Sequence, residues 1–327
     1  MEAVCEFDRL FSRNVPHISE MMFLSLDLMS FMNCLEVCKS WHDLLISKPF
    51  KAMTKNIFFL EIHSQLIRAS YEGNMDLIHK ILSTFVVDIN QILEKPGPRK
   101  TFFTSLGQAS LMGQTDVVQL LLDRGADPNL VVGPPGLRRT SLHVAASKGH
   151  QNIVRLLLDK GANPNMADQV GRYPLIYAAD PFPRYTSNHR HNEVAQLLLD
   201  KGADPNTAEQ GGIAPLHWTV YRANKDLAKL LISKGADPNV ADENGLVPLY
   251  WAVVGLEQRL DDLGLIETQV ILDAKEEYKD MIQLLLDNGA DKNMADPDGR
   301  TPLVYAEDRE YLDIANILRD HNYKNST

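Results

Sequence analysis

One run of letters, spelled five times, limits what this chain can become. It reads LLLDRGADPN from Leu120, LLLDKGANPN from Leu156, LLLDKGADPN from Leu197, LLISKGADPN from Leu230 and LLLDNGADKN from Leu284. Each copy describes the close of an amphipathic helix. Three apolar residues form the face turned to a core, and a polar residue begins to leave it. The glycine that follows (Gly125, Gly161, Gly202, Gly235, Gly289) suits the left-handed position just past a helix, where a Cβ is costly. Asp or Asn then favours a turn through side-chain to backbone hydrogen bonds. A unit restated in this way means a repeat protein.

The copies begin 36, 41, 33 and 54 residues apart. The shortest spacing is the base unit, and the others add insertions of 3, 8 and 21 residues. A second marker fixes the other end of the unit. Pro-Leu occurs at Pro174-Leu175, Pro215-Leu216, Pro248-Leu249 and Pro302-Leu303, with Ser141-Leu142 in the same place. Proline belongs in the first turn of a helix, where no N–H donor is needed. Small residues follow (Ala145 and Ala146, Ala178 and Ala179, Ala252, Ala306), so a neighbouring helix can approach closely. The unit is therefore a loop, a Pro-started helix, a turn, a Leu-rich helix and a Gly stop.

That pattern resembles the ankyrin repeat, most clearly in TSLHVAASKGHQNIVRLLLDKGANPN from Thr140 to Asn165. The resemblance implies an all-α solenoid of about seven helix-turn-helix repeats over residues 61–321, with insertions near 180–191 and 254–278. Only Thr301-Pro302 keeps the family's Thr-Pro pair, and only His143 and His217 keep its histidine. The Thr–His bonds that tie neighbouring loops are expected to be incomplete. The first repeat is degenerate, with Leu66, Ala69, Gly73 and Leu77 holding the frame, and Glu94 to Lys100 reads as a Pro/Gly loop. The last repeat lacks the Leu triplet and ends in polar residues, as a cap should, before a polar tail over 322–327.

Residues 48–60 read as a linker helix, preceded by VPHISEMMFLSLDLMSFMNCLEVCKSWHDLLIS from Val15 to Ser47. Phe31, Leu35, Cys38, Trp41 and Leu45 form a helical stripe, and the first half is almost entirely apolar. So small a segment cannot bury that much surface alone, so its excess needs a partner. Val15-Pro16, the apolar run from Ile18 to Leu28 and the close Val37-Cys38-Lys39-Ser40-Trp41 resemble an F-box over residues 1–47, with Val15 in place of the family's leucine. The resemblance implies docking onto the Skp-type linker protein of cullin–RING ubiquitin ligases. Pro16, Ile18, Met22, Leu24, Leu28, Leu35, Val37, Cys38 and Trp41 would form the docking surface or the small core behind it. The alternative is a helical cap that shields the first repeat. Combined F-box and ankyrin chains occur in eukaryotes and resemble effectors of bacteria living inside eukaryotic cells. The expected compartment is the cytoplasm, or the host cytoplasm for an effector.

A net charge of -10 argues against a general nucleic-acid binder, whose affinity comes from neutralising phosphates. The three cysteines all lie within the first forty residues and imply no disulfide framework. No stretch reads as transmembrane; Met21 to Met32 is short and carries Asp27. Cys34, Cys38 and His42 share one helix face, but with no fourth ligand they read as apolar packing. There is no Gly-rich phosphate loop, Cys-x-x-Cys pair, His-Glu-x-x-His helix or Gly-x-Ser-x-Gly elbow. The expectation is a non-catalytic chain with no cofactor and no metal.

Solenoids bind through an extended surface. In ankyrin proteins that surface is concave and made by loop tips and first helices. Ile213, Tyr221, Arg222 and Leu246 lie there, beside the two longer insertions, with Arg172 and Tyr185 close by. Tyr and Arg are favoured binding anchors. These six residues are the expected contacts to a target protein. The insertions leave the same edge, roughly 20 Å apart at about 8–10 Å per helix layer. The first is expected to be a solvated loop with His189 and His191, and the second a helical extension. Tyr177, Trp218, Trp251 and Tyr305 share one position in successive repeats. They read as inter-repeat core residues rather than a ladder facing a ligand.

Overall fold

The computed structural model describes residues 55–95, 101–133, 138–180, 188–263 and 268–321. The nine residues proposed for linker docking, and Tyr185, lie outside them. The described residues form seven successive helix pairs: α1 (Lys55–Glu72) with α2 (Met75–Thr84), α3 (Ser105–Met112) with α4 (Thr115–Asp123), and α5 (Ser141–Lys148) with α6 (Gln151–Asp159). There follow α7 (Pro174–Ala179) with α8 (Asn188–Asp200), α9 (Pro215–Tyr221) with α10 (Lys225–Ser233), α11 (Pro248–Leu263) with α12 (Thr268–Asp287), and α13 (Pro302–Asp308) with α14 (Leu312–Asp320). First helices pack on first helices from α1 through α13, and from α4 onward second helices pack on second helices. Two layers of helices result, with one apolar core running between them.

The local reasons are the ones the repeated letters suggest. Pro174, Pro215, Pro248 and Pro302 open first helices. Thr104 and Thr140 cap two others and Thr301 caps the helix that Pro302 opens, each side chain accepting a backbone N–H of the first turn. The stop glycines all take positive φ, from 88° at Gly125, Gly202 and Gly289 to 91° at Gly235. Space does not require them, since an added Cβ would meet nothing within 4 Å at any of the five. The backbone conformation alone selects glycine.

Within each Leu-Leu-Leu triplet the central residue is the core residue. Leu121, Leu157, Leu198, Leu231 and Leu285 are all fully buried, whereas Leu120, Leu156, Leu230 and Leu284 are only half-buried. Each turn of about 100° per residue carries the flanking leucines off the centre of the stripe. Truncating a central leucine to alanine removes about 2–5 kcal/mol, and a flanking one less.

Several expectations change. The boundary expected between residues 60 and 61 falls inside the continuous helix α1. The all-helical expectation holds apart from a short antiparallel hairpin, β1 (Leu93–Lys95) with β2 (Thr101–Phe103), so Glu94 and Lys95 lie in a strand rather than a loop. His191 belongs to helix α8 rather than to a solvated loop, and it is buried. It holds the register place of His150. His150 Nε2 meets Leu111 O at 3.3 Å and His191 Nε2 meets Ser147 O at 3.3 Å, each reaching the preceding pair. The insertion over 254–278 is helical, as expected, lengthening α11 and α12.

Candidate functional site

The strongest departures from regular repetition lie along the row of first helices α7, α9, α11 and α13 and the loops that precede them. Each loop carries one buried acid at the same register: Asp168, Glu209, Asp242 and Asp296, all 9% exposed or less. Seven residues later comes the leucine of the first helix, and two beyond that the aromatic column. Tyr177 Oη donates to Asp168 at 2.6 Å, Trp218 Nε1 to Glu209 at 2.6 Å and Trp251 Nε1 to Asp242 at 3.0 Å. The fourth member, Tyr305, turns instead to Glu257 of the lengthened α11 at 2.5 Å, and Tyr250 Oη takes over Asp296 at 3.1 Å. Burial and the carboxylate push the Tyr250 hydroxyl up to about 12 and raise Tyr177 as well, so both stay protonated donors.

The aromatic column is therefore of two kinds. Tyr177 is a core residue at 4% exposure, as expected. Trp218, Trp251 and Tyr305 are half-buried and keep ring surface available. Trp218 and Trp251 lie 5.6 Å apart between ring centres, and Tyr221 lies 6.1 Å from the first and 5.8 Å from the second. Arginines flank this group. Arg139 sits 4.3 Å over the Tyr177 ring, and Arg172 lies 5.8 Å from Tyr177 and 5.6 Å from Trp218.

The residues expected to touch a target divide in the same way. Tyr221 is half-buried, faces both tryptophans, and has its backbone carbonyl fixed by Tyr278 Oη at 2.5 Å. Arg172 bonds the Glu209 carboxylate and lies 3.7 Å from Asp180. Arg222 bonds Asp180 of the preceding pair, its side chain is only 14% exposed, and its Nε is buried without a hydrogen-bond partner. It is thus a link between helix pairs more than an open anchor. Ile213 and Leu246 are half-buried loop residues; the Leu246 carbonyl accepts from His217 Nε2 at 3.1 Å. Trp218 and Trp251, expected as inter-repeat core residues, do pack against the core but stay half-buried and group with Tyr221, and Arg139 was not singled out at all. Its signal was present: Arg139 and Arg172 both lie three residues before the leucine of a first helix.

The two histidines act between loops. Backbone N–H groups of Thr140 and Ala214 donate to Nδ1 of His143 and His217, leaving Nε2 to bond Arg172 O and Leu246 O of the next loop, each at 3.1 Å. Thr140 completes a capping box with His143, while Ala214 supplies no hydroxyl. Among the described residues no group of three or more His, Cys, Asp or Glu could hold a metal, and no helix is long and apolar enough to cross a membrane.

Stacked helix pairs of this kind, closed by Gly-Ala-Asp turns and offering loops and first helices on one side, define a repeat scaffold for protein interaction. The family pattern for ankyrin repeats in three copies matches residues 106–209 and 184–262, so the central pairs, including this aromatic face, are ankyrin repeats. No curated protein matches the chain.

Proposed function

We propose that this chain is the substrate-recognition adaptor of an SCF-type cullin–RING ubiquitin ligase. Residues 1–47 dock a Skp-type linker protein through the surface named above, and the ankyrin repeats hold a target protein. The supporting observation is the juxtaposition of two features. An apolar, Pro-led segment closing in Val37-Cys38-Lys39-Ser40-Trp41 precedes ankyrin repeats whose exposed face gathers Tyr221, Trp218 and Trp251. The adaptor does no chemistry; it raises the local concentration of target lysines at the ligase. It acts in the cytoplasm, or in a host's cytoplasm if it is a bacterial effector. Co-purification of the full chain with a Skp-type linker tests the reading. A stable complex at micromolar concentration supports it, and none under those conditions refutes it. If removing residues 1–47 costs solubility but no partner, the segment is a cap and the chain a plain ankyrin scaffold.

A further inference from the structure

Of the four register-matched buried acids, three meet a guanidinium. Arg139 Nε lies 3.7 Å from Asp168, Arg172 bonds Glu209, and Arg300 Nε lies 3.0 Å from Asp296. Asp242 is 6% exposed and has no ion pair among the described residues. It accepts only N–H bonds, from Asn244 and Leu246 at 2.9 Å and from Trp251 at 3.0 Å. The reason lies in the register. Arg139, Arg172 and Arg300 each stand three residues before the leucine of a first helix, and in the fifth and sixth pairs that place is held by Ile213 and Leu246. An arginine at either would follow a pattern used elsewhere in the stack, serving the next loop as Arg139 does or its own as Arg300 does.

The aromatic column shows the same gap. Arg139 covers Tyr177 and Arg172 approaches Trp218, each from the pair before. Trp251 keeps the histidine neighbour that Tyr177 has, His217 at 5.4 Å where Tyr177 has His143 at 5.9 Å. Yet no cation of the described chain lies over it. Instead Trp218, Tyr221 and Trp251 meet one another edge to face with planes 72° to 88° apart, as three walls meet at a corner. Two walls donate their indole N–H to Glu209 and Asp242, so carboxylates stand beside the rings. A cation within about 6 Å of such ring centres is attracted by their faces, and the net charge of -10 favours its approach.

We infer that this corner receives a guanidinium from the partner: an arginine side chain in a basic segment of the target protein, serving Trp251 and Asp242 as Arg139 and Arg172 serve the preceding pairs. The inference rests on the reading that this face binds the target, and names what is bound.

The test is fluorescence anisotropy of the full chain with labelled eight-residue peptides of Gly and Ser that carry two Arg, two Lys or two Gln. The Arg peptide is expected to bind about tenfold or more tighter than the Gln peptide, with Lys between them. Ile213→Arg supplies the guanidinium from within; it is expected to weaken the Arg peptide about tenfold and to raise Tm. Val86→Arg makes the same charge change at a 93% exposed site in the first pair and is expected to shift binding by less than about twofold. Equal binding of the Gln peptide, or equal effects of Ile213→Arg and Val86→Arg, would overturn the inference. Should Ile213→Arg fail to fold, Trp251→Leu must weaken the Arg peptide to a similar extent, and unchanged binding would overturn it. Binding of the Skp-type linker, followed in the same variants, is expected to stay constant, so a failure here is separable from a failure of the ligase reading.

Discussion

Two residues carry backbone strain that single substitutions can relieve. The turn between the helices of a pair uses left-handed glycine at Gly73, Gly113 and Gly149, but Ala223 (φ 53°) and Glu310 (φ 59°) occupy the same place. A side chain in that region costs about 1–2 kcal/mol, offset in part by the greater chain freedom of glycine. Ala223→Gly is expected to raise unfolding stability by about 1 kcal/mol in urea titration; a loss would show that the alanine methyl has a packing role. His143 gives a pH dependence. Burial strips the charged ring of water and holds its imidazole down to about 4, from an ordinary value of 6.5, and the nearby Arg139 charge acts in the same direction. The folded state therefore favours the neutral ring. Its contribution is whole above about pH 6.5 and falls away as the pH drops toward 4, by up to a few kcal/mol. His217 and His150 are shifted down by burial too and add in the same direction. Urea midpoints at pH 7 and 4.5 measure the effect. His143→Gln should lower the pH 7 midpoint and lessen the fall between the two; an equal fall would rule the histidine out.

At the scale of elements, the lengthened sixth pair holds Tyr221 in place. Gly255 of α11 lies against α9 so closely that an added Cβ would stand 2.7 Å from Tyr221 O, the carbonyl that Tyr278 of α12 also binds. Gly255→Ala should therefore destabilise by about 1–3 kcal/mol, although alanine is the better helix former. It should also raise hydrogen exchange in α9 and α11, and unchanged stability would mean the contact is not tight. Elements also show what the letters conveyed. The Gly stop and Pro-Leu start are local devices, and they place helices without knowledge of neighbours. The final Asn of four of the five copies links successive pairs, a role the letters do not announce. Asn206 Nδ2 donates to Gly235 O at 2.9 Å and its Oδ1 accepts from Asp237 N at 2.8 Å. Asn90, Asn129, Asn165 and Asn239 repeat the arrangement. Its partners lie in the next pair, so no local pattern reveals it. Arg222 was legible as an exposed arginine but not as a partner of Asp180, 42 residues earlier, for the same reason.

At the scale of the molecule, the even spacing of the stack is what makes its irregularities informative. A ladder of exposed pairs runs along the second helices, Lys160 to Asp123, Lys201 to Asp159 and Lys234 to Asp200, each at 2.7 Å. It lapses where Asn288 would meet Ser233 and resumes as His321 to Asp287 at 3.3 Å. Such exposed, solvent-screened pairs contribute little each, but the lapse falls at the same junction of pairs five and six where Ile213 stands in the arginine place and Tyr221 meets two tryptophans. The aromatic position was visible by counting; its role was not, because whether a ring is covered depends on the neighbouring loop. The central claim is that two separate surfaces serve two partners. It is tested most directly with the full chain as bait for a purified Skp-type linker and for the Arg peptide together, comparing Leu28→Asp with Trp41→Ala at one end and Tyr221→Ala with Trp251→Leu in the repeats. The account predicts that the first pair of substitutions abolishes linker binding and spares the peptide, and that the second does the reverse. Loss of both by either pair, or of neither, would contradict it.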